Sequence, residues 1–375
     1  MLPQTNSMKV LVTGSNGFIG KNLVLKLGEF DEFSVVLFTR DMSVSLLPSL
    51  VGGADAVVHL AGENRPENID DFVSGNVGVT EAVCAAVRDS GRKIPVIFTS
   101  SSQALLENSY GSSKLEAEII VEKLYADIST NCVIYRLPGV FGKWCRPNYN
   151  SVVATFCYNL ARDLPVRIDD PNALLTLVYV DDVIEDILSV LRGASKGLDR
   201  RDIAPVYSVT LEELAAQIER FKVSRETLVS EAVGTGFIRA LYSTYVSYLP
   251  LNKFTYQLPC HADERGVFVE MLKTENSGQF SFFTAHPGVT RGGHYHHSKT
   301  EKFLVLNGTA RFGFRSLDTD ETFEVIVDRS VPTVVETIPG WAHDIKNIGS
   351  NDLIVMLWVN EIFDPRFPDT ITSKV

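Results

Sequence analysis

The hydrophobic rhythm of the chain changes near residue 250, and that change limits the fold more than any other feature. Before it, short apolar runs alternate with segments of helical period. The strand candidates are 9–13, 34–39, 56–60, 95–100 and 132–137. They are apolar on both faces and rich in Val and Ile, as buried parallel strands are. Residues 113–126 have helical period, with Leu115, Ile119, Ile120 and Leu124 on one stripe. Thr210 and Glu213 have the spacing of a capping box at the start of another helix. Such alternation predicts an α/β, Rossmann-type doubly wound parallel sheet. After residue 250 only short runs remain: 267–272, 280–285, 303–306, 310–314, 322–327 and 353–359. Turn signals such as Asn307-Gly308 and Pro339-Gly340 separate them. This half predicts an all-β barrel or sandwich. Two domains follow, 8–250 and 255–372, with the boundary at 248–255 around Pro250, and the 375 residues suffice for both cores.

Charge and cysteine usage exclude several partners. The formal net charge is −11 with no Lys/Arg cluster, which argues against nucleic acid. The cysteines are Cys84, Cys132, Cys145, Cys157 and Cys260, an odd number with no CxxC pair. Reduced thiols in the cytoplasm are expected. No apolar run reaches the roughly 18 residues that span a bilayer, and residues 1–7 are polar rather than signal-like. No membrane partner is expected.

The segment Val10-Leu11-Val12-Thr13-Gly14-Ser15-Asn16-Gly17-Phe18-Ile19-Gly20 reads as strand, tight turn and helix start. Gly14 permits the turn, Gly17 lets backbone approach a pyrophosphate, and Gly20 lets helix pack on strand. The helix N-terminus then offers its amides to the phosphates. The whole segment from Gly14 to Gly20, with Asn16, Phe18 and Ile19, is a candidate dinucleotide site. The second strand ends Phe38-Thr39-Arg40. An acidic residue there would accept from a ribose hydroxyl; Arg40 would pair with a 2′-phosphate, so NADPH is the expected cofactor. An ordinary exposed arginine is the plainer alternative. Leu60-Ala61-Gly62 ends the third strand, placed to pass beside the adenine or ribose.

Tyr110-Gly111-Ser112-Ser113-Lys114 puts a phenol and an ammonium on one helix face. Lys114 is expected to lower the Tyr110 pKa and grip the nicotinamide ribose, making Tyr110 a proton donor. Upstream, Ser100-Ser101-Ser102 ends the fourth strand with hydroxyls able to bind a carbonyl oxygen. These residues resemble those of the extended short-chain dehydrogenase/reductase family over roughly residues 8–250. Asn76 after Gly75, the stretch 136–142 and Tyr179-Val180-Asp181-Asp182-Val183 match it as well, although Pro138-Gly139 stands where the family has an Asn-Val or similar pair. The resemblance implies catalysis by Tyr110, Lys114 and a serine. Ser102 is preferred and Ser101 is the alternative. It also implies Asn76 at the cofactor.

The β-rich part carries a second constellation. His294-Tyr295-His296 is followed by Glu301, and His343 comes after the Pro339-Gly340 turn. Residues two apart on an extended chain share a face, so His294 and His296 can both point inward with Glu301 and His343. Three imidazoles and a carboxylate suit Zn, Fe, Mn or Ni. This spacing resembles both motifs of the cupin family over about residues 255–372, and implies a jelly-roll barrel. The stretch 263–270 and Arg291-Gly292-Gly293-His294-Tyr295 further resemble cupin-type sugar-nucleotide 3,5-epimerases. There the histidine matching His294 is a general base, and a lysine lies near the position of Glu301. Arg265 and Arg291 would bind a substrate diphosphate, with barrel-rim ion pairs as the alternative. His297, Lys299 and Lys302 are further proton carriers.

With the stretch 137–150, the two-domain arrangement resembles the bifunctional bacterial capsular-polysaccharide enzymes of the UDP-N-acetyl-L-fucosamine pathway. That resemblance implies a homodimer with zinc in the cupin. The cupin would epimerise C3 of a UDP-2-acetamido-2,6-dideoxy-4-hexulose. The reductase domain would then reduce C4 with NADPH to UDP-2-acetamido-2,6-dideoxy-L-talose. Lys143, Arg146 and Asn148 would face the nucleotide sugar. Two readings stay open beside it: a reductase whose cupin only dimerises, and a non-catalytic sugar-nucleotide sensor.

Overall fold

The computed structural model describes residues 7–65, 68, 70–254, 256–296, 299–317, 319–337, 341–366 and 368–375. The chain divides into two compact units. One comprises Met1–Ile218 and Ala240–Leu249, the other Glu219–Arg239 and Pro250–Val375. Among the described residues no helix is long and apolar enough to cross a membrane.

The first unit is built on a parallel sheet. Its strands are β1 (Met8–Thr13), β2 (Phe33–Phe38), β3 (Ala56–His59), β4 (Val96–Ser101) and β5 (Cys132–Leu137). A separate small sheet contains β6 (Gly139–Phe141), β7 (Leu174–Tyr179) and β9 (Tyr207–Thr210), while β8 (Leu198–Arg201) joins the main sheet. The main order is β2-β1-β3-β4-β5-β8, every pair parallel. Alternate residues feed opposite layers, as a strand's period of two requires. Val10, Val12, Val58 and Ile97 pack on one side with Leu23 and Leu27 of helix Phe18–Leu27 and with Ile184 and Ile187 of helix Val180–Ser189. Leu11, Val57, Val96 and Phe98 pack on the other with Val83 and Val87 of helix Val79–Asp89 and with Val121 and Leu124 of helix Ser109–Ile128. The sheet is doubly wound, as the alternation predicted. Strand order reverses between β1 and β3, where a crevice opens at the carboxyl ends of such strands.

In the second unit, β10 (Val229–Ser230) comes before β11 (Cys260–Asp263), β12 (Gly266–Thr274), β13 (Gly278–Ala285), β14 (Thr290–Tyr295) and β15 (Glu301–Asn307). Then follow β16 (Thr309–Ser316), β17 (Thr322–Asp328), β18 (Val334–Glu336), β19 (Trp341–Asn347), β20 (Leu353–Val359) and β21 (Ile371–Thr372). One sheet runs β10-β12-β13-β20-β15-β18, with β11 on β12; the other runs β17-β16-β19-β14-β21. Phe283, Phe303, Val355 and Leu357 of the first share a core with Phe312, Phe314 and Ile345 of the second. The all-β expectation holds. Among the described residues, strand pairing leaves two separate sheets and closes no barrel. The stretch 219–239 belongs here because Val229 and Ser230 pair with Lys273 and Thr274. Its two-residue strand is too short to stand out in the sequence.

Candidate functional sites

The glycine segment sits at the switch point, between β1 and helix Phe18–Leu27. Gly14 has φ +67°, and a Cβ there would lie 2.7 Å from the Ala61 nitrogen. At Gly20 a Cβ would meet the Gly14 carbonyl oxygen at 2.3 Å. Both positions are thus glycine for reasons internal to the chain. Gly17 differs: its φ is −72°, and the nearest atom to an added Cβ is 3.1 Å away. Its backbone is exposed, and it caps the helix without a side-chain hydrogen bond. Open backbone beside helix-end amides suits an approaching phosphate. Asn16 is exposed, and Phe18 and Ile19 are half-buried. Arg40 reaches out from the end of β2 and pairs with Glu63 at 3.1 Å.

Asn76 and Lys114 lie next to Gly62: a Cβ there would come within 2.7 Å of Asn76 Oδ1 and 3.7 Å of Lys114 Nζ. Buried Asn76 accepts from the Glu63 amide at 2.9 Å and donates to the Glu63 carbonyl and to Ser113 Oγ, each at 2.9 Å. It therefore ties the loop after β3 to helix Ser109–Ile128, which carries Tyr110 and Lys114. That helix starts at Asn108, whose side chain accepts from the Gly111 amide at 2.8 Å.

Lys114 is buried. Its Nζ donates to the Thr99 carbonyl at 2.7 Å and lies 4.6 Å from the centre of the Phe98 ring. Burial pulls its pKa down to about 8, against the opposing pull of Glu118. Glu118, fully buried, is gripped by Arg136 at 2.7 Å and accepts from Ser100 at 2.5 Å. Tyr110 is half-buried beside Phe72, with ring centroids 5.7 Å apart. Burial raises its pKa, and the nearby Ser101 hydroxyl offsets part of the rise. The expected acidic phenol is not found here, because desolvation is the larger influence and Lys114 directs its charge at the strand end. Of the two candidate serines, Ser101 is half-buried at the end of β4 and counteracts the rise at Tyr110, whereas Ser102 is exposed in the following turn. Lys143 pairs with Asp181 at 2.7 Å, and the Arg146 guanidinium stacks 4.8 Å over Tyr149. Asn148 is exposed, with its amide bonded to Thr155 Oγ1 at 2.9 Å.

In the second unit His294, His296, Glu301 and His343 converge, with ligand atoms all within 4.8 Å of one another. Register explains the meeting. Gly292 and Gly293 have φ +90° and +76°, and the ladder shifts between Gly292 and His294, bringing His294 opposite His343. Glu301 Oε2 lies 3.1 Å from both His296 Nε2 and His343 Nε2. Burial alone would raise its pKa, but the bonds to His296 and His343 overcome that and hold it well below the usual carboxylate range. His294 is pushed down to about 4, chiefly by burial and then by His343. His296 Nδ1 faces the Asp369 carbonyl oxygen, which can only accept, so the ring hydrogen sits there. Three imidazoles and a carboxylate converging on one point make the donor set of a cation site, and a carbonyl fixing the far nitrogen of one ring is its usual support. His343 Nδ1 is buried without a hydrogen-bond partner among the described residues.

Lys299 is buried near this group and donates to Thr370 Oγ1 at 2.6 Å, whereas Lys302 pairs with Glu336 at the surface. His297, Pro339 and Gly340 lie outside the described residues. Arg265 pairs with Asp263, and Arg291 stands 3.9 Å from the same carboxylate. Arg291 Nη2 is buried and unbonded among the described residues, and burial lowers its pKa. Sequence reasoning passed over His59, Glu118 and Asp369. A lone histidine in a strand and a glutamate on a helix carry no pattern, and Asp369 acts through its backbone.

Residues 10–204 match the NAD dependent epimerase/dehydratase family, and residues 261–371 match the polysaccharide biosynthesis C-terminal domain. The chain belongs to the NAD dependent epimerase/dehydratase family, as a member with this C-terminal domain attached. Over nearly its whole length it is similar to the UDP-2-acetamido-2,6-beta-L-arabino-hexul-4-ose reductase of Pseudomonas aeruginosa. The two are 53% identical over 368 residues, 98% of this chain and 99% of the relative. Among solved structures it is similar to the capsular polysaccharide assembling protein CapF from Staphylococcus aureus. The TM-score is 0.91 at 39% identity, covering 98% of this chain and 100% of that one. The resemblance to the capsular enzymes thus extends across both units.

Proposed function

We propose that this chain uses NADPH to reduce the C4 ketone of a UDP-linked 4-keto-6-deoxy N-acetylhexosamine, after its second unit has inverted C3 of the same sugar. The product is UDP-2-acetamido-2,6-dideoxy-L-talose, a precursor of UDP-N-acetyl-L-fucosamine for surface polysaccharide. One observation carries the reading: the helix that bears Tyr110 also holds Lys114 buried next to Gly62 at the switch point, with its Nζ on the Thr99 carbonyl. Kinship with the Pseudomonas reductase supports the substrate class.

NADPH, when bound, supplies the hydride to C4. Gly14, Asn16, Gly17, Phe18, Ile19 and Gly20 would hold its diphosphate, Arg40 its 2′-phosphate, and Leu60, Ala61, Gly62 and Asn76 the adenosine side. The residues fit that group, since exposed Gly17 leaves the first amides of helix Phe18–Leu27 without a side-chain cap. Ser101 orients the ketone oxygen, and Tyr110 donates its phenolic proton to that oxygen as the C4–H bond forms. The Lys114 ammonium stabilises the phenolate left behind and holds the nicotinamide ribose. Lys143, Arg146 and Asn148 are assigned to the nucleotide sugar.

In the second unit His294, His296, Glu301 and His343 would hold zinc, and the convergence of their ligand atoms within 4.8 Å of one another supports that fit. Zinc, when bound, would supply Lewis-acid polarisation of the ketone, which acidifies the C3 hydrogen. Arg265 and Arg291 bind the substrate diphosphate, and the buried Nη2 of Arg291, which makes no hydrogen bond among the described residues, supports the assignment. The jelly-roll cupin barrel, a cytoplasmic setting and a homodimer belong to the same reading.

The test is incubation of the full chain with UDP-4-keto sugars in deuterated water, with and without NADPH. Deuterium at C3 without NADPH, and NADPH oxidation with a reduced product, are expected. Oxidation without deuterium uptake would leave a reductase with a non-catalytic second unit. Absence of oxidation would overturn the reductase reading.

A further inference from the structure

Three segments around the switch point are joined by one buried ring. His59 ends β3 and is 0% exposed. Its Nδ1 lies 2.7 Å from Thr13 Oγ1, and its Nε2 lies 2.9 Å from Thr80 Oγ1. The neighbouring groups decide which nitrogen carries the hydrogen. Thr80 donates its hydroxyl hydrogen to the Asn76 carbonyl at 2.6 Å, so toward the ring it can only accept. Nε2 is therefore the protonated nitrogen. Thr13 Oγ1 accepts the Ala61 amide at 3.2 Å, which frees its own hydrogen for Nδ1. Every donor in the chain then has one acceptor, and the chain runs in one direction. The ring is stacked on Phe98, with centroids 5.4 Å apart and planes at 29°. Burial, and then the Lys114 charge, push its pKa down to about 3, so it stays neutral.

What this ring joins is specific. Thr13 is the last residue before the Gly14 turn. Ala61 is the residue against which Gly14 packs too closely for any side chain. Asn76, reached through Thr80, also bonds Glu63 and Ser113, and Ser113 lies on the helix of Tyr110 and Lys114. The reduction described above makes no use of His59.

We propose that His59 is a positioning residue for the dinucleotide: its single tautomer sets the spacing of the Gly14 turn, the Leu60–Gly62 loop and Asn76. It acts through Thr13, Ala61 and Asn76, and touches no reacting atom. The inference rests on the cofactor assignment made under the proposed function.

Three variants of the full chain test it. His59→Asn keeps an acceptor toward Thr13, His59→Gln keeps a donor toward Thr80, and His59→Leu keeps neither at similar volume. His59→Leu should raise the KM and Kd for NADPH about tenfold or more while kcat moves less than about threefold. The Asn and Gln variants should fall between it and the parent. Lower melting temperatures with unchanged NADPH affinity in all three would overturn the proposal and leave His59 a plain core residue. Because the leucine variant can fail to fold, the parent protein supplies a second readout. Its ¹⁵N resonances for His59 should show a neutral ring protonated at Nε2, with a slowly exchanging hydrogen. A ring protonated at Nδ1, or at both nitrogens, near neutral pH would overturn the proposal. Failure of the parent to bind NADPH would overturn the cofactor assignment and this proposal together. Parent binding with unshifted variants would overturn the proposal alone.

Discussion

The two units build their candidate sites from different materials. In the first, backbone does most of the shaping: a glycine turn, strand ends and a helix start meet where strand order reverses, and Ser101, Tyr110 and Lys114 are the side chains to which the proposal assigns the reaction. In the second, the sheets supply a frame and four side chains make the whole site. The difference shows in how charge is handled. The Lys114 ammonium sits against the Thr99 carbonyl and is pulled toward neutrality by burial, whereas Glu301 is kept ionised by imidazoles on two sides. A site shaped by backbone should be sensitive to Cβ atoms and tolerant of many side chains. A site made of side chains should behave the opposite way.

The sharpest break between the two is Tyr110→Phe. We expect kcat for NADPH oxidation to fall about 1000-fold, within the range for a lost general acid, with C3 deuterium exchange intact. Parallel loss of both would mean that the sites are not separable. Next in size, His343→Ala should weaken zinc binding by about 100-fold or more, since even partners behind a ligand cost 10- to 100-fold. Metal analysis after dialysis reads this, and NADPH oxidation of a reduced-ready ketone should persist. Ser101→Ala should lower kcat by about 30-fold, because a lost hydrogen bond to a reacting oxygen is worth about 2 kcal/mol, whereas Ser102→Ala should stay within about threefold. Equal effects would dissolve the distinction drawn between half-buried Ser101 and exposed Ser102. Arg40→Ala should raise the KM for NADPH about tenfold and leave that for NADH unchanged. The mildest effect is on pH. Lys114, with its pKa lowered to about 8, carries its charge below that value and loses it above. Reductase activity should therefore decline on the alkaline side, with half the effect near pH 8. A flat profile from pH 7 to 9 would show that the ammonium is not needed.

Much of this was legible in the residues, unevenly. The parallel sheet followed from apolar runs alternating with helical period, and the turn from Gly14 and Gly20, which no other residue could replace. Alternation in His294-Tyr295-His296 placed two rings on one face, and Glu301 and His343 joined them in space as expected. Three consecutive serines could not be told apart, because which hydroxyl meets Tyr110 depends on where β4 ends and the turn begins. The acidity of Tyr110 was misjudged because YxxxK spacing records proximity and not solvent exclusion. His59 went unnoticed because its partners are separated from it by 46 and 21 residues. Sheet closure was likewise beyond a pattern of short strands, which fits a sandwich as well as a barrel.

The stretch 219–239 has a consequence for how this polypeptide is made and cut. Because it lies with the second unit while 240–249 lies with the first, the covalent thread changes unit at three places. No single scission yields two whole pieces. A fragment beginning at Pro250 lacks β10 and bares the edge of β12 at Lys273 and Thr274. During synthesis, 219–239 leaves the ribosome before its pairing partner exists, and must wait while the amino-terminal unit takes in 240–249. Completion of the reductase half therefore precedes docking of this segment in the order of translation.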